Sequence, residues 1–179
     1  MARGFEESSA RWNIVAQQLL LAELEHETIQ PNWFWNDAWD GYPGRLPLAR
    51  KRLLTDVVAA KLRNPVFLTG DWHSTFVNDL KLDFSDPRAR TVATEFVTPA
   101  ITTGGDGTPY GPYYAPMIPF NPHIKYYDGD PRGYFKATVT HNQMRVDLRF
   151  VTSVENAGGT GYTQGSWIVE DGRPGAQRI

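Results

Sequence analysis

The sequence predicts a single α/β (α+β) domain that becomes β-rich toward its carboxyl terminus. An amphipathic helical pattern from Arg45 to Arg63 leads into a continuous apolar strand from Val66 to Gly70, the order typical of an α/β sheet. Apolar and polar residues alternate clearly in Gly133 to Thr140 and in Met144 to Val151. A chain of 179 residues with 41% hydrophobic and 13% aromatic residues is long and apolar enough for one domain with its own core.

The first quarter of the chain combines a short strand with a long irregular segment. After a short helical opening, Trp12 to Gln17 is an apolar run that fits a buried strand, and the Leu-rich stretch from Gln18 to Glu25 is ambiguous in type. Pro31 to Pro47 is rich in aromatic residues, Asn, Asp, Gly and Pro, which predicts an irregular loop. Loops of that length in a compact domain are usually functional.

The helix and strand that follow direct polar side chains to one edge of the sheet. Pro65 ends the helix, because a proline disfavours helical geometry in the residue before it. The buried strand then runs straight into Asp71 and His73, which we expect at the carboxyl end of a central strand. Ligand sites in open α/β sheets lie outside such strand ends.

The rest of the chain is predicted to be mostly strands and turns. Thr98 to Pro122 is rich in Gly, Pro and Tyr and predicts one extended loop, and His141 to Gln143 predicts a hairpin turn. The predicted strands beyond Arg90 are Val92 to Val97, Ile124 to Tyr127, Gly133 to Thr140, Met144 to Val151 and Ser166 to Glu170.

Composition excludes several classes of partner. With 18 basic and 20 acidic residues, the net charge of −2 gives no electrostatic footprint for a nucleic-acid backbone or an anionic membrane. No apolar run approaches the roughly 18 residues that span a bilayer. The amino-terminal residues lack the basic leader and apolar core of a secretory signal. Because cysteine is absent, any metal ligands in this sequence are oxygen or nitrogen donors.

Asp71 and His73 are the sharpest chemical feature. A carboxylate and an imidazole that leave a strand end together are a donor pair suited to Fe, Mn, Zn or Ca. The competing interpretation is that Asp71 caps a following helix and His73 is an ordinary loop residue, because short motifs are weak evidence. Placement after a buried strand makes the two interpretations about equally strong.

The aromatic loop offers further candidates for a binding pocket. Its rings could form a sugar-stacking platform or a pocket wall, or could simply pack over a sheet edge. Its carboxylates could be tuned functional groups or acceptors that order the loop. Ser74 is a pocket candidate but not a nucleophile, because no glycine elbow surrounds it. The loop candidates are Asp37, Trp39, Asp40 and Tyr42.

Glycine-rich stretches in the second half predict turns. Gly104 to Gly107 and Gly158 to Gly161 lack the Lys-Ser/Thr ending of a phosphate-binding P-loop. His26, His123 and His141 stand apart from other metal-binding residue types along the sequence, and we interpret each as structural.

Several blocks in the same order resemble the carboxyl-terminal portion of the alkaline phosphatase D (PhoD-like) family of metallophosphoesterases. They are GFEESSARWNIVAQQ, DAWDGYPGRLPLARKRLL, NPVFLTGDWHSTFVNDL, ATEFVTPAITTGGDG and NPHIKYYDGDPRGYFKATVTHNQMRVDLRFV. The resemblance implies the second half of a layered metallophosphoesterase sandwich that hydrolyses phosphate monoesters and diesters. It assigns Asp71 and His73 as metal ligands, suggests Fe and Ca with Mn or Zn as alternatives, and implies secretion or a periplasmic location. The DAWDGY block and the TTGGDG loop are expected to border the pocket.

The same resemblance implies that part of the metal site is missing from these residues. The family draws a bridging aspartate, an asparagine, a cysteine and a tyrosine from upstream motifs that this sequence does not contain. Residues 1–179 are therefore expected to be the carboxyl-terminal part of one phosphatase domain, from a fragment, a truncated gene or a split half, and to be inactive alone. The alternative is a non-catalytic β-rich module that binds a glycan or a protein partner.

Overall fold

A computed structural model describes residues 2–24, 48–107 and 115–179. Two helices, α1 (Ala2–Glu6) and α2 (Leu48–Ala59), and one 3-10 helix (Ala115–Phe120) lie in these ranges. The strands there are β1 (Asn13–Gln17), β2 (Pro65–Thr69), β3 (Thr75–Lys81), β4 (Thr91–Val97), β5 (Ile124–Asp128), β6 (Arg132–Val139), β7 (Gln143–Val151), β8 (Gly161–Glu170) and β9 (Arg173–Arg178).

The strands form two sheets. The first has the order β1-β2-β4-β3-β5, in which β2 is parallel to both β1 and β4, and β3 is antiparallel to both β4 and β5. The second is an antiparallel meander, β6-β7-β8-β9. The parallel strands β2 and β4 are almost entirely buried because both of their faces are covered, whereas β1 at the sheet edge and β7 alternate between more and less exposed residues.

Two hydrophobic clusters separate three layers. Leu54 and Val57 of α2 pack in one cluster with Phe76 from the first sheet. Val77, the next residue of β3, belongs to the second cluster with Met144 and other side chains of the second sheet. Successive side chains of a strand point to opposite faces, so the first sheet lies between the helix layer and the second sheet. The predicted mixed, layered and increasingly β-rich fold is therefore confirmed.

The individual elements were predicted with unequal success. Helix α2 and strands β1, β2 and β4 to β8 lie where the pattern indicated, and β2 has a neighbouring strand on each side. Strand β3 was missed, because the buried Asn78 interrupts its apolar pattern. Strand β9 was missed because it contains Pro174 and Gly175, which is compatible with its position at the end of the second sheet. The stretch predicted as one loop contains the 3-10 helix.

The end of the molecule opposite the strand carboxyl termini is held by one carboxylate. Asp171, in the turn between β8 and β9, accepts hydrogen bonds from Arg63 Nε at 2.9 Å and Asn64 Nδ2 at 2.6 Å. Arg11 Nη1 donates to the same carboxylate at 2.6 Å. Since Arg11 and Asn64 flank the starts of β1 and β2, this contact joins the two sheets.

Candidate metal site at the carboxyl ends of the strands

Asp71 and His73 lie on a tight turn directly after β2. Both have left-handed backbone conformations, with φ of 66° for Asp71 and 51° for His73. The amide of Trp72 donates to the carbonyl of Gly70 at 2.8 Å, which closes a three-residue turn centred on Asp71. Residues other than glycine rarely have positive φ. Those that do concentrate at functional sites, where the surrounding structure holds them in that conformation.

The side chains of this turn differ in accessibility. Asp71 is exposed and His73 is partly exposed, whereas Ser74 is fully buried. The interpretation of Asp71 as a helix cap is wrong, because the element that follows is strand β3. The accessible carboxylate and imidazole thus open onto solvent at the edge where the α/β pattern predicts a ligand site.

The donor chemistry of this pair suits a metal ion, but the pair does not complete a coordination shell. Asp71 offers oxygen ligands and His73 a nitrogen ligand, and no group of three or more His, Cys, Asp or Glu side chains able to hold a metal occurs within residues 2–24, 48–107 and 115–179. Three buried hydroxyls at the same edge of the sheet, those of Ser74, Thr75 and Thr98, have no hydrogen-bond partner within the described part of the chain. The two residues therefore fit a metal as part of its ligand set.

The pocket candidates of the aromatic loop lie outside the described residues. Asp37, Trp39, Asp40 and Tyr42, together with the loop from Pro31 to Pro47, remain predictions. Ser74 remains a pocket candidate on sequence grounds, although its side chain has no access to solvent.

Beneath the turn lies a buried carboxylate that belongs to none of the sequence motifs described above. Glu95, in the middle of β4, is 0% exposed, and both of its oxygens accept hydrogen bonds. The amides of Leu21 and Ala22 donate at 2.8 and 3.0 Å, the Thr69 hydroxyl at 2.7 Å and the Asn78 amide at 3.0 Å. Burial is the largest influence and raises the pKa of the Glu95 carboxyl, while the four donors act in the opposite direction.

Through Thr69, the Glu95 carboxylate connects the end of β2, which leads into the turn, to β4. Thr69 is the last residue of β2, two positions before Asp71, and its carbonyl also accepts from the Thr98 amide at 2.9 Å. Gln17, at the end of β1, donates to the Thr69 hydroxyl. A glutamate inside the otherwise apolar VATEFV strand was the available sequence signal for this network.

The glycine-rich TTGGDG loop lies beside the same turn. Arg132 donates from Nε to the Thr103 carbonyl at 2.9 Å and from Nη1 to the His73 carbonyl at 3.3 Å, so one side chain contacts both segments. On the other side of the loop, Asp106 accepts from Ser153 Oγ at 2.8 Å. Main-chain donation, chiefly from Val154, lowers the pKa of Asp106. The predicted turn at Gly104 to Gly107 is confirmed.

Comparison with known proteins shows the family to which the chain belongs. A family model described as PhoD-like phosphatase matches residues 1–148, and the chain belongs to this family. The resemblance read from the sequence blocks is thereby confirmed.

Two individual relatives are similar over almost the whole chain. Alkaline phosphatase D of Bacillus subtilis (strain 168) is 32% identical over 172 residues, which cover 96% of this chain and 29% of that protein. A solved structure described as "Structure of PhoD" matches with a TM-score of 0.86 at 30% identity, covering 99% of this chain and 33% of that one. The chain thus spans about a third of the length of these relatives.

Proposed function

We propose that this chain is the carboxyl-terminal part of a metal-dependent phosphoesterase domain that hydrolyses phosphate monoesters or diesters. The observation that carries the proposal is the Asp71 and His73 pair, exposed on a left-handed turn at the strand ends of a chain that belongs to the PhoD-like phosphatase family. The substrate class follows from the relatives, one of which is an alkaline phosphatase.

Asp71 and His73 would hold the ion through carboxylate oxygen and imidazole nitrogen. A bound divalent or trivalent ion supplies Lewis acidity and lowers the pKa of a bound water. Iron and calcium are the metals suggested by the family resemblance, with manganese or zinc as alternatives. The Asp71 carboxylate also contributes negative charge, which favours a cation at this edge.

The same geometry supports the expectation that residues 1–179 alone are inactive. A catalytic metal generally keeps at least three protein ligands, and a two-metal mechanism needs ions held at a fixed separation. The described ranges provide two donors at this turn and no larger cluster. We propose that the remaining ligands come from a further part of the domain, in a protein that is exported to the periplasm or secreted.

A metal-binding comparison of four proteins tests this proposal. The wild-type chain, Asp71→Asn, His73→Ala and the control His141→Ala, whose histidine is exposed in the hairpin turn, are titrated with Mn²⁺ while the amide signals of residues 70–75 are followed. Paramagnetic broadening centred on the turn is expected in the wild type and in the control, and not in the two site variants. Equal broadening in all four proteins would refute the assignment of these ligands.

Activity supplies the second arm of the test. With Fe, Ca, Mn or Zn added, the 179-residue chain is expected to show negligible hydrolysis of an aryl phosphate. Hydrolysis that survives both Asp71→Ala and His73→Ala would contradict the proposed role of the pair.

A further inference from the structure

Arg132 is a buried cation at the boundary between the two sheets. It is the first residue of β6 and is only 2% exposed. Within the described part of the chain its guanidinium hydrogen-bonds to main-chain oxygens alone: Thr103 at 2.9 Å, His73 at 3.3 Å and Asp130 at 3.4 Å. A buried charge is strongly unfavourable unless its hydrogen-bonding groups are satisfied, so these three carbonyls account for its position.

The glycines of the TTGGDG loop make room for this guanidinium. A Cβ atom added to Gly104 would lie 3.2 Å from Arg132 Nη2, and one added to Gly107 would lie 2.1 Å from the Asp130 carbonyl and 3.5 Å from Arg132 Cζ. Both glycines also have left-handed φ, at 80° and 112°. A side chain would strain the backbone at both positions and at Gly107 would also collide with the Asp130 carbonyl, so glycine suits the loop that closes around Arg132.

The neighbouring main chain anchors the base of the same arrangement. The amide of Gly133 donates to the Ala100 carbonyl at 3.1 Å, which fixes the start of β6 against the segment leading into the loop. From that anchor the Arg132 side chain extends to the His73 carbonyl. The carbonyl belongs to a residue at φ 51°, a conformation that needs support from outside the turn.

We propose that Arg132 is the positioning residue of the metal-binding turn: its guanidinium holds the His73 main chain, and with it the His73 imidazole and Asp71 carboxylate, against the TTGGDG loop. The inference deepens the proposed function and rests on it where metal affinity is concerned. Arg132 does not touch the ion or the substrate in this role. It acts through the backbone of the turn, as groups behind metal ligands do elsewhere.

The role requires the shape of guanidinium as well as its charge. Its several N–H donors lie in one plane and reach carbonyls on three different segments. A lysine ammonium is a compact point charge on a flexible stem and does not reproduce that fork. Arg132→Lys should therefore keep the charge and lose the positioning.

The experiment compares five versions of the 179-residue chain: wild type, Arg132→Lys, Arg132→Ala, Gly104→Ala, and Arg145→Lys as the control. Arg145 is on β7 of the same sheet, with a side chain 47% exposed and paired with Asp147 at 2.8 Å. Carbonyl carbon shifts of His73 and Thr103 are measured without metal. Mn²⁺ affinity is then taken from broadening of the turn amides.

The expected result is that both Arg132 variants bind Mn²⁺ about tenfold or more weakly, the range typical of groups that support metal ligands. The His73 and Thr103 carbonyl shifts should change in the same variants and stay unchanged in Arg145→Lys. Guanidinium ion, added well below its denaturing range, should restore both measurements in Arg132→Ala. That recovery would show that the guanidinium group itself, through its hydrogen bonds, holds the turn.

The two proposals fail in different ways. Wild-type Mn²⁺ affinity together with unchanged carbonyl shifts in both Arg132 variants would overturn the inference. If the wild-type chain shows no Asp71-dependent broadening, the proposed metal site fails, and the metal-free carbonyl shifts still decide whether Arg132 holds the turn. If Arg132→Ala does not fold, Arg132→Lys and Gly104→Ala, which alters the arrangement from the loop side, carry the comparison.

Discussion

Acid should destabilise this protein through His123, a buried histidine far along the chain from the turn that carries Asp71 and His73. His123 is 3% exposed, and its Nε2 donates to the Glu23 carbonyl at 2.7 Å. Its Nδ1 is buried and has no hydrogen-bond partner among residues 2–24, 48–107 and 115–179, so protonation would add a second N–H for which these residues provide no acceptor. Burial, with smaller contributions from the charges of Lys81 and Arg50, lowers the pKa of His123 from 6.5 to about 4.

The sign and size of the change in stability follow from the difference between the pKa of His123 in the unfolded and the folded protein. The unfolded chain takes up a proton as the pH falls below 6.5, whereas the folded protein resists it until about 4. The unfolded state therefore binds more protons in that window, and the free energy of unfolding falls as the pH is lowered. The loss amounts to about 2 kcal/mol at about pH 5 and about 3 kcal/mol at about pH 4, from linkage at roughly 1.4 kcal/mol per pKa unit.

Urea unfolding of the wild type, His123→Gln and His141→Gln over this range measures the effect. Glutamine can still donate to the Glu23 carbonyl but does not titrate. His141 is the matched control, because it is an exposed histidine in the hairpin turn. The difference in the free energy of unfolding between the wild type and His123→Gln isolates the contribution of His123. It removes the contributions of carboxyl groups whose effect on the pH dependence has the opposite sign.

Two carboxyl groups make that subtraction necessary. Burial raises the pKa of Glu23, which pairs with Arg50, and of Glu95. A raised carboxyl pKa stabilises the fold at low pH and loses that contribution as the pH rises, opposite to His123. Parallel stability curves for the wild type and His123→Gln between about pH 7 and about pH 4 would refute the reasoning, because a titrating His123 must make them converge or cross.

Three further substitutions test other parts of the structure. Asp171→Asn should lower the melting temperature at neutral pH, because hydrogen bonding from Arg63 lowers the pKa of Asp171 to about 2. Thermal melts at decreasing pH should show the wild-type advantage disappear as acid titrates this carboxyl from 3.8 down through about 2. Glu95→Gln should lower the free energy of unfolding, measured with urea, by about 1 to 3 kcal/mol. The reason is that the new glutamine amide places N–H donors against existing donors such as the Asn78 side chain. An unchanged free energy of unfolding would contradict the described network. Gly133→Ala should abolish cooperative melting or strongly lower the melting temperature, because the added Cβ would lie 2.1 Å from the Arg149 carbonyl oxygen. A wild-type melting temperature would exclude that close approach.

Local patterns were sufficient to predict much of the fold. The helical spacing before Pro65 and the apolar run after it are set by neighbours in sequence, so α2 and β2 could be predicted with their order and burial. Strand β3 could not be recognised in the same way, because it contains the buried Asn78, whose Nδ2 donates to Glu95 on the adjacent strand β4. A polar residue satisfied by a distant partner looks like a surface residue in the sequence.

The candidate site likewise has one part that could be predicted from neighbouring residues in the sequence and one part that could not. Asp71 and His73 could be proposed from the sequence, because both follow one strand within three residues. Arg132 lies 59 residues beyond His73 and bonds to its carbonyl, a group that every residue type carries and that leaves no mark in the sequence. Contacts between a side chain and a distant main chain therefore require the structure.

Two buried ionic side chains of opposite sign flank the turn, and both act mainly through hydrogen bonds to other groups of the protein. Glu95 accepts from two main-chain amides, the Thr69 hydroxyl and the Asn78 side-chain amide, and Arg132 donates to the carbonyls of Thr103, His73 and Asp130. These contacts support the turn in which Asp71 and His73 have positive φ. In the proposed metal site, binding would then not have to supply the free energy of ordering the turn, which is the physical advantage of a preorganised site.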